Sequence, residues 1–454
     1  MKRTIRRSPF RILVPVLLMI LTGVGSASAF ISGDRGTTFN LTAKHGHITT
    51  GDGGSIPMWG FALDSRPMQY PGPTLIVNEG ATITVNLTNQ LPEPVSIVFP
   101  GQDVTASGGI PGTLTREAPP GGSVTYTFVS SAPGTFTYYS GTHVDFQVEM
   151  GLLGALIIRP SGFNEANPAT YTAYGDAGSA YDYEYLFLLT DMDPRFHELY
   201  EFNKLFEVDT TNFKPAYWFI NGRTGPDTLA PANAPWLPAQ PFDALARMHP
   251  GDRVLIRMIG AGRDLHPFHT HGNNYLVIAK DGKRLLNGTT ELGWSDFTQT
   301  VVPGKTADGI FTWTGAGMGW DIYGHQQDID NPPTGNFPNS EDVDHNGNGI
   351  FDSVAAEPNE DPADHGLPFP VTMPDQLDLT FGQFFSGSPY LGAMGALPPG
   401  EGGFNAFGGY FYMWHSHNEK ELTNNDIFPG GMLTMMIVEH PGVFIPHYEN
   451  EPAP

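Results

Sequence analysis

The chain has 454 residues and contains 47 acidic and 23 basic side chains, so its net charge of −24 at pH 7 argues against nucleic-acid binding. It contains no cysteine, which excludes disulfides, thiolate zinc sites and a cysteine nucleophile. Glycine (55) and proline (41) are abundant and only 15% of residues are charged, a balance that favours many short strands joined by turns.

The first 29 residues have the pattern of a secretory signal. Residues 2–11 are basic, residues 12–24 are apolar, and Ala27 and Ala29 are the small residues of a cleavage site. The alternative, a membrane anchor, requires a longer apolar run. We therefore expect a periplasmic or extracellular protein that has no membrane span once the signal is removed.

Residues 37–160 are predicted to form a β-rich domain. The strand-like runs are residues 82–87, 123–129, 135–139 and 154–158. Apolar and polar residues alternate through residues 81–87, as in a strand with one buried face. The spacing of runs and turns indicates a β-sandwich or barrel, and residues 161–180 are interpreted as a linker.

Residues 181–445 are predicted to form a second β-rich domain. Its strand-like runs are residues 183–189, 217–220, 253–259, 275–279, 310–313, 411–414 and 432–438. Asp281-Gly282 is a hairpin-turn signal. Residues 321–376 hold acidic residues and Asn/Pro/Gly clusters, and they are interpreted as an acidic insertion.

Two histidine groups are the strongest chemical signal in the sequence. His266, His269 and His271 lie within seven residues that read HPFHTHG, and His415 and His417 flank one serine. Because residues i and i+2 of a strand face the same side, each His-x-His pair can present two imidazoles together. Imidazole suits copper, zinc, iron and nickel. Two such pairs therefore predict a metal site, but they do not identify the metal.

The order of these motifs resembles that of the multicopper oxidases. Residues 71–80 look like the opening strand segment of that family, and residues 134–140 with 150–154 resemble its second copper motif. Residues 266–272 match its third motif, and His415-Ser416-His417 with Met432 resembles the fourth. The resemblance implies an all-β fold of two cupredoxin-like Greek-key β-sandwich domains, with the acidic loop insertion in the second.

The sequence departs from the family pattern at the copper ligands. Val98 and Pro100 stand at the histidine places of the first motif and Tyr139 at one of the second, where His143 is a candidate replacement. Ser416 takes the place of the cysteine that the family's type 1 copper requires, and Glu421 that of a histidine. The predicted metal residues are therefore His143, His266, His269, His271, His415 and His417.

His266 and three acidic residues after the fourth motif keep alternative interpretations. His266 is either a satisfied core histidine or part of a rearranged metal site. Glu419, Glu421 and Asp426 could ligate metal or shuttle protons, but a solvated loop paired with Lys420 is the favoured interpretation.

The acidic insertion contains a calcium-loop pattern. Asp344, Asn346, Asn348 and Asp352 supply oxygen side chains at relative positions 1, 3, 5 and 9, and Gly349 permits the turn. Position 12 is alanine instead of glutamate, so the alternative is a flexible acidic loop. Calcium is retained as a second predicted ion.

The resemblance predicts a secreted metalloprotein that binds copper, with zinc or manganese as alternative ions. As an enzyme it would be a copper-dependent oxidoreductase that acts on a small molecule or a metal ion without a type 1 relay, although no catalytic residue is assigned. The alternative is a non-catalytic metal-binding or structural protein on the same scaffold. The family also implies a homotrimer whose sites lie within one chain or between subunits.

Overall fold

The computed structural model describes residues 30–313, 395–396, 404–405, 410–439, 444–449 and 451. The predicted signal at residues 1–29 and the acidic insertion at residues 321–376, with all four predicted calcium residues, lie outside this part of the chain. No helix within the described residues combines the length and the apolar character that a membrane span needs.

Two sheets face each other in the first half of the chain. Their strands are β1 (Asp34–Arg35), β2 (Thr38–Thr49), β3 (Ser55–Leu63), β4 (Leu75–Asn78), β5 (Thr82–Asn89), β6 (Thr105–Gly108), β9 (Ser123–Val129), β10 (Gly134–Tyr139) and β11 (Leu153–Arg159), and the short strands β7 (Ile110–Pro111) and β8 (Arg116–Glu117) form a separate pair. One sheet has the order β1-β4-β11-β10 and the other β3-β2-β5-β9-β6. A core that includes Leu75, Phe136, Ile83 and Val124 fills the space between them.

The second half repeats this arrangement with larger sheets. Its strands are β12 (Tyr183–Met192), β13 (Tyr217–Ile220), β14 (Ala246–Met248), β15 (Arg253–Gly260), β16 (His266–Thr270), β17 (Tyr275–Lys280), β18 (Lys283–Arg284), β19 (Leu286–Asn287), β20 (Thr290–Glu291), β21 (Trp294–Asp296), β22 (Thr298–Val301), β23 (Thr306–Thr312), β24 (Gly395–Ala396), β25 (Phe404–Asn405), β26 (Tyr410–Ser416) and β27 (Leu433–Val438). One sheet follows β13-β12-β15-β23-β17-β18, with β21 also paired to β17, and the other follows β14-β27-β26-β16-β22. Phe187, Phe311, Phe268 and Trp414 belong to the core between them.

Helices are few among the described residues. The α-helices are α1 (Val144–Gln147) and α2 (Pro194–Glu201), and short 3-10 helices occur at Pro168–Thr170, Ala177–Ser179, Leu205–Glu207, Asp227–Leu229 and Glu419–Leu422. The side chain of Asp193 caps the N-terminus of α2, because it accepts a hydrogen bond from the Arg195 amide. The last 3-10 helix follows β26 directly and so stands beside the second histidine group.

The predicted strand signals are confirmed where the structure describes them. In β5, buried and more exposed side chains alternate, because one face of its sheet covers the core. Asp281 and Gly282 both have left-handed backbones, with φ of 51° and 69°, and join β17 to β18 as a two-residue hairpin turn. A Cβ at Gly282 would meet Phe136 of β10 at 2.3 Å, so this turn also requires glycine for its close approach to the first half.

The two halves share an apolar contact layer. It joins Ile56, Met58 and Leu153 from the first half to Phe219 and Ile259 from the second. All five side chains are buried. The halves are therefore packed against each other through a core of their own.

A buried charge network lies across the same boundary. Arg159 of β11 donates to Glu184 of β12 at 2.8 Å, and Arg257 of β15 donates to the same carboxylate at 3.0 Å. Arg257 also donates to Thr135 at 2.9 Å, and Thr135 donates to Asp308 of β23 at 3.0 Å. Burial alone would raise the pKa of Glu184, but the two guanidinium groups outweigh it and lower the pKa to about 2.

Candidate metal centre

Strand pairing brings the two histidine groups together. β16 and β26 are antiparallel neighbours, and His269 stands directly opposite His415 in their register. His271 lies just beyond the end of β16, and its amide donates to the carbonyl of Met413 at 3.2 Å. The imidazoles thus come from segments almost 150 residues apart in the sequence and meet at one sheet.

Three of the imidazoles form a compact cluster, which we call the histidine cluster: His269, His271 and His415. One ligand atom from each lies within 4.8 Å of the others, and all three side chains are buried. The Nε2 atoms of His415 and His271 are 3.2 Å apart. This is the one group of at least three metal-ligating side chains found within the described part of the chain.

The other three predicted histidines lie around or away from this cluster. His417 is exposed, although its ring centroid is 4.8 Å from that of His269. His266 is fully buried, and its Nδ1 forms a hydrogen bond with the Glu421 carboxylate. His143 precedes α1 with a left-handed backbone, and its exposed ring is 3.3 Å from Glu93. The structure therefore brings three of the six predicted residues into one cluster.

Hydrogen bonds orient two rings of the histidine cluster. Nδ1 of His415 is 2.6 Å from the carbonyl oxygen of Ser416, which can only accept, so Nδ1 carries the proton and Nε2 presents its lone pair. Nδ1 of His269 is 2.6 Å from the hydroxyl of Thr298 on β22. Thr298 was not singled out from the sequence, because its role depends on the pairing of β16 with β22.

The cluster is built to stay neutral. Burial lowers the pKa of His269 to about 4 and that of His271 to about 3, and the neighbouring imidazoles add to both shifts. Burial also lowers the pKa of His415. At neutral pH all three rings are therefore neutral imidazoles, each with one free nitrogen lone pair, which is the state that binds metal ions.

The spacing of the nitrogens fits a metal ion. Two imidazole nitrogens that each lie about 2.0–2.1 Å from a tetrahedral ion are about 3.3 Å apart. His415 and His271 are at 3.2 Å, with a lone pair of His415 directed at His271. The donor set, its neutrality and the two hydrogen-bonded rings therefore suit copper or another imidazole-binding metal.

Glu421 differs from the favoured interpretation of its segment. The exposed pair in this loop joins Lys420 to Asp426 at 3.2 Å, as expected for solvated charges. Glu421 instead points inward, is 1% exposed and lies 2.9 Å from Nδ1 of His266. Burial by itself lowers the pKa of His266, but the hydrogen bond and charge of Glu421 outweigh it and raise the pKa.

His143 borders a separate surface cavity in the first half of the chain. The cavity has a volume of about 600 Å³, and its walls include Leu114, Glu117 and Thr142. The hydroxyl of Thr142 donates to Glu117 at 2.9 Å. His143 is thus presented to solvent, on a different part of the chain from the histidine cluster.

Comparisons with known proteins agree with this architecture. The multicopper oxidase family model matches residues 65–162. A probable nitrite reductase–hydroxylamine oxidoreductase fusion protein of Kuenenia stuttgartiensis is 25% identical over 284 residues, which cover 61% of this chain and 29% of that protein. A multicopper oxidase of Talaromyces pinophilus is 37% identical over 95 residues, which cover 20% of this chain and 15% of its own length. The chain therefore spans less than a third of these two relatives.

Solved structures show the same fold over most of the chain. A multicopper oxidase, mgLAC, has a TM-score of 0.52 at 19% identity and covers 91% of this chain and 88% of its own. A blue copper oxidase from Nitrosomonas europaea has a TM-score of 0.52 at 21% identity, with coverage of 88% and 85%. The predicted all-β fold with two cupredoxin-like domains is confirmed, and residues 65–162 of this cysteine-free chain are similar to the multicopper oxidases.

Proposed function

We propose that this protein is a copper-dependent oxidoreductase that works without a type 1 copper relay. The observation that carries the proposal is the histidine cluster, whose buried, neutral imidazoles place two Nε2 atoms 3.2 Å apart. The match of residues 65–162 to the multicopper oxidase family model supports copper as the ion. The domains are proposed as residues 37–160 and 181–445, joined by residues 161–180.

The surroundings of the cluster support access for a reactant. His417 is exposed beside His269, and the ring of Phe297, 52% exposed, has its centroid 5.6 Å from the His269 ring. A small molecule or a metal ion could therefore approach along His417 and Phe297. Copper held by the cluster would supply one-electron exchange with that reactant, while the hydrogen bonds of Thr298 and Ser416 keep the rings in place.

The position of His143 supports a site that is completed by another subunit. Its side chain is 67% exposed and stands beside Glu93 instead of joining the histidine cluster. A second copy in a homotrimer could therefore bring its own His143 to the open side of the cluster. We propose that export through residues 1–29 delivers this assembly to the periplasm or the extracellular space.

Metal analysis with matched variants tests the function. We expect copper in the purified protein and oxygen uptake with a phenolic, ferrous or cuprous reductant, both lost in H269A/H415A. The control is H47A, because His47 is a histidine with a side chain that is 55% exposed. Copper binding without oxygen uptake would favour the non-catalytic alternative, and no retention of copper, zinc or manganese would contradict both.

A complementation experiment tests the assembly. H143A and H269A chains, each inactive alone, are co-expressed with different tags and purified as mixed oligomers. If His143 acts across subunits, some sites in the mixture are intact and activity returns. A monomer by light scattering, or a mixture as inactive as its parents, would contradict a shared site.

A further inference from the structure

A buried carboxylate occupies the centre of a second pocket, next to the histidine cluster. Oε2 of Glu421 is 2.9 Å from Nδ1 of His266 and accepts a hydrogen bond from the hydroxyl of Ser416 at 2.6 Å. Oε1 accepts from the side-chain amide of Asn418 at 2.9 Å. His266 and Ser416 are fully buried, and Glu421 is 1% exposed.

This pocket does not fit the type 1 copper that the family would place there. Such a centre needs a cysteine thiolate and two imidazoles. Only one imidazole, His266, faces the pocket from that set, and Ser416 supplies a hydroxyl where the thiolate would be. One carboxylate oxygen stands within hydrogen-bond distance of both, at the point where their donor atoms converge.

The backbone around the pocket keeps a compact frame. The amide of Ser416 donates to the carbonyl of Met432 at 3.0 Å, and the amide of Met432 donates to the carbonyl of Glu421 at 2.7 Å. Met432 is fully buried as well. These backbone contacts hold positions 416, 421 and 432 close together, and the Glu421 carboxylate connects them to His266.

The same carboxylate joins the two strands that carry the histidine cluster. His266 begins β16, three residues before His269, and Ser416 ends β26 between His415 and His417. Glu421 bonds to both strands from the 3-10 helix that follows. Removal of its charge would release His266 and Ser416 from each other and loosen the facing positions of His269 and His415.

We propose that Glu421 takes the place of a metal ion in this pocket, so that it positions the histidine cluster through His266 and Ser416 and leaves His266 outside the metal-binding set. The pocket is then a former thiolate–copper site in which Ser416 and Glu421 replace two copper ligands. The two substitutions S416C and E421H should restore copper binding there. The positioning part of this inference rests on the proposed function, whereas the converted pocket does not.

The first test measures copper affinity. We expect E421Q to bind copper at least tenfold more weakly than the unaltered chain with the same stoichiometry, and E421D to recover most of the loss. The matched control E419Q, which changes an exposed acid of the same 3-10 helix, should stay within twofold. Circular dichroism checks that each variant is folded, and an E421Q protein with unchanged affinity would overturn the positioning role.

The second test measures copper binding by the converted pocket without a contribution from the histidine cluster. S416C/E421H is made in the H269A/H415A background, so that the result does not depend on the histidine cluster. We expect one bound copper per chain and an intense visible band from thiolate-to-copper charge transfer, both lost when H266A is added. A folded protein without the band would overturn the inference, as would a copper ion in the unaltered chain that H266A removes while the cluster keeps its own.

Discussion

The charge network between the two halves and the histidine cluster are both buried polar sites. The network offsets the cost of burial by pairing opposite charges, whereas the cluster avoids that cost because its imidazoles stay neutral. In the network, Glu184 lies between Arg159 and Arg257, so opposite charges stabilise each other. In the histidine cluster, the side-chain charges that shift the pKa of His271 belong to other histidines, and they disfavour protonation. The network is complete as protein, whereas we propose that a metal cation binds the three neutral imidazoles of the cluster.

Loss of Glu184 should give the largest effect, because it turns the network into two buried cations without their shared anion. We expect E184Q to lower the free energy of unfolding by about 3–5 kcal/mol, measured by denaturant titration. The control is E165Q, which removes the partly exposed partner of Arg35 and should cost at most about 1 kcal/mol. Equal effects of the two variants would break the comparison.

Copper should stabilise the histidine cluster and leave the network unaffected. At a free copper concentration one hundred times the dissociation constant, binding to the native state adds about 2.7 kcal/mol to the free energy of unfolding. We expect this increment in the unaltered protein and in E184Q, but not in H269A/H415A. Thermal unfolding with copper and with a chelator measures it, and an increment that survives loss of both histidines would place the copper elsewhere.

Thr298 provides a finer test of how the cluster is held. Its hydroxyl is 2.6 Å from Nδ1 of His269, so T298V removes a group that orients a metal-binding ring. We expect copper affinity to fall about tenfold, equivalent to about 1.4 kcal/mol. Thr300 is exposed on the same strand, and T300V should leave the affinity unchanged in isothermal titration calorimetry.

The two regions should lose stability in different acid ranges. Unfolded histidine protonates near pH 6.5, whereas His269 and His271 resist protonation until about pH 4 and 3, so the unfolded state binds more protons between these values. Metal-free protein should therefore lose about 1–2 kcal/mol as the pH falls through this range, after allowance for solvent screening. For Glu184 the loss falls between pH 4.5 and about 2.

Unfolding curves at several pH values separate the two contributions. H269Q/H271Q should remove the part of the slope between pH 6.5 and 4 that these two rings contribute, leave the part due to His415, and keep the loss at lower pH. E184Q should do the reverse. A slope above pH 5 that is undiminished in H269Q/H271Q would assign the proton uptake to other groups.

Local sequence patterns predicted the features that depend on neighbours along the chain. Alternation of apolar and polar residues predicted the strand at residues 81–87, and Asp281-Gly282 predicted the hairpin turn. The i, i+2 spacing of His269 and His271 predicted that their two rings lie close together. That these rings bind metal stays a prediction. The strands were predictable because a buried face imposes period two on the side chains.

Contacts between distant segments were not predictable in the same way. Glu421 has charged neighbours in the sequence, which suggested a solvated loop, but the turn after β26 directs it to His266, 155 residues away. The charge network left a weak signal, because Arg159 is the single charge of an otherwise apolar strand and Glu184 is one of two acids in a mostly apolar strand. A charged residue in such a strand indicates that it has a buried partner, but it does not identify that partner.

The pairing of β16 with β26 has a consequence for how the chain can change in length. His271 and His415 are 144 positions apart, and the segment between them includes the acidic insertion. A metal ion shared by these residues would act as a cross-link that closes this loop, and the entropy of closure grows only with the logarithm of loop length. Residues can therefore be gained or lost in the insertion at little energetic cost, while the paired strands preserve the spacing of the imidazoles.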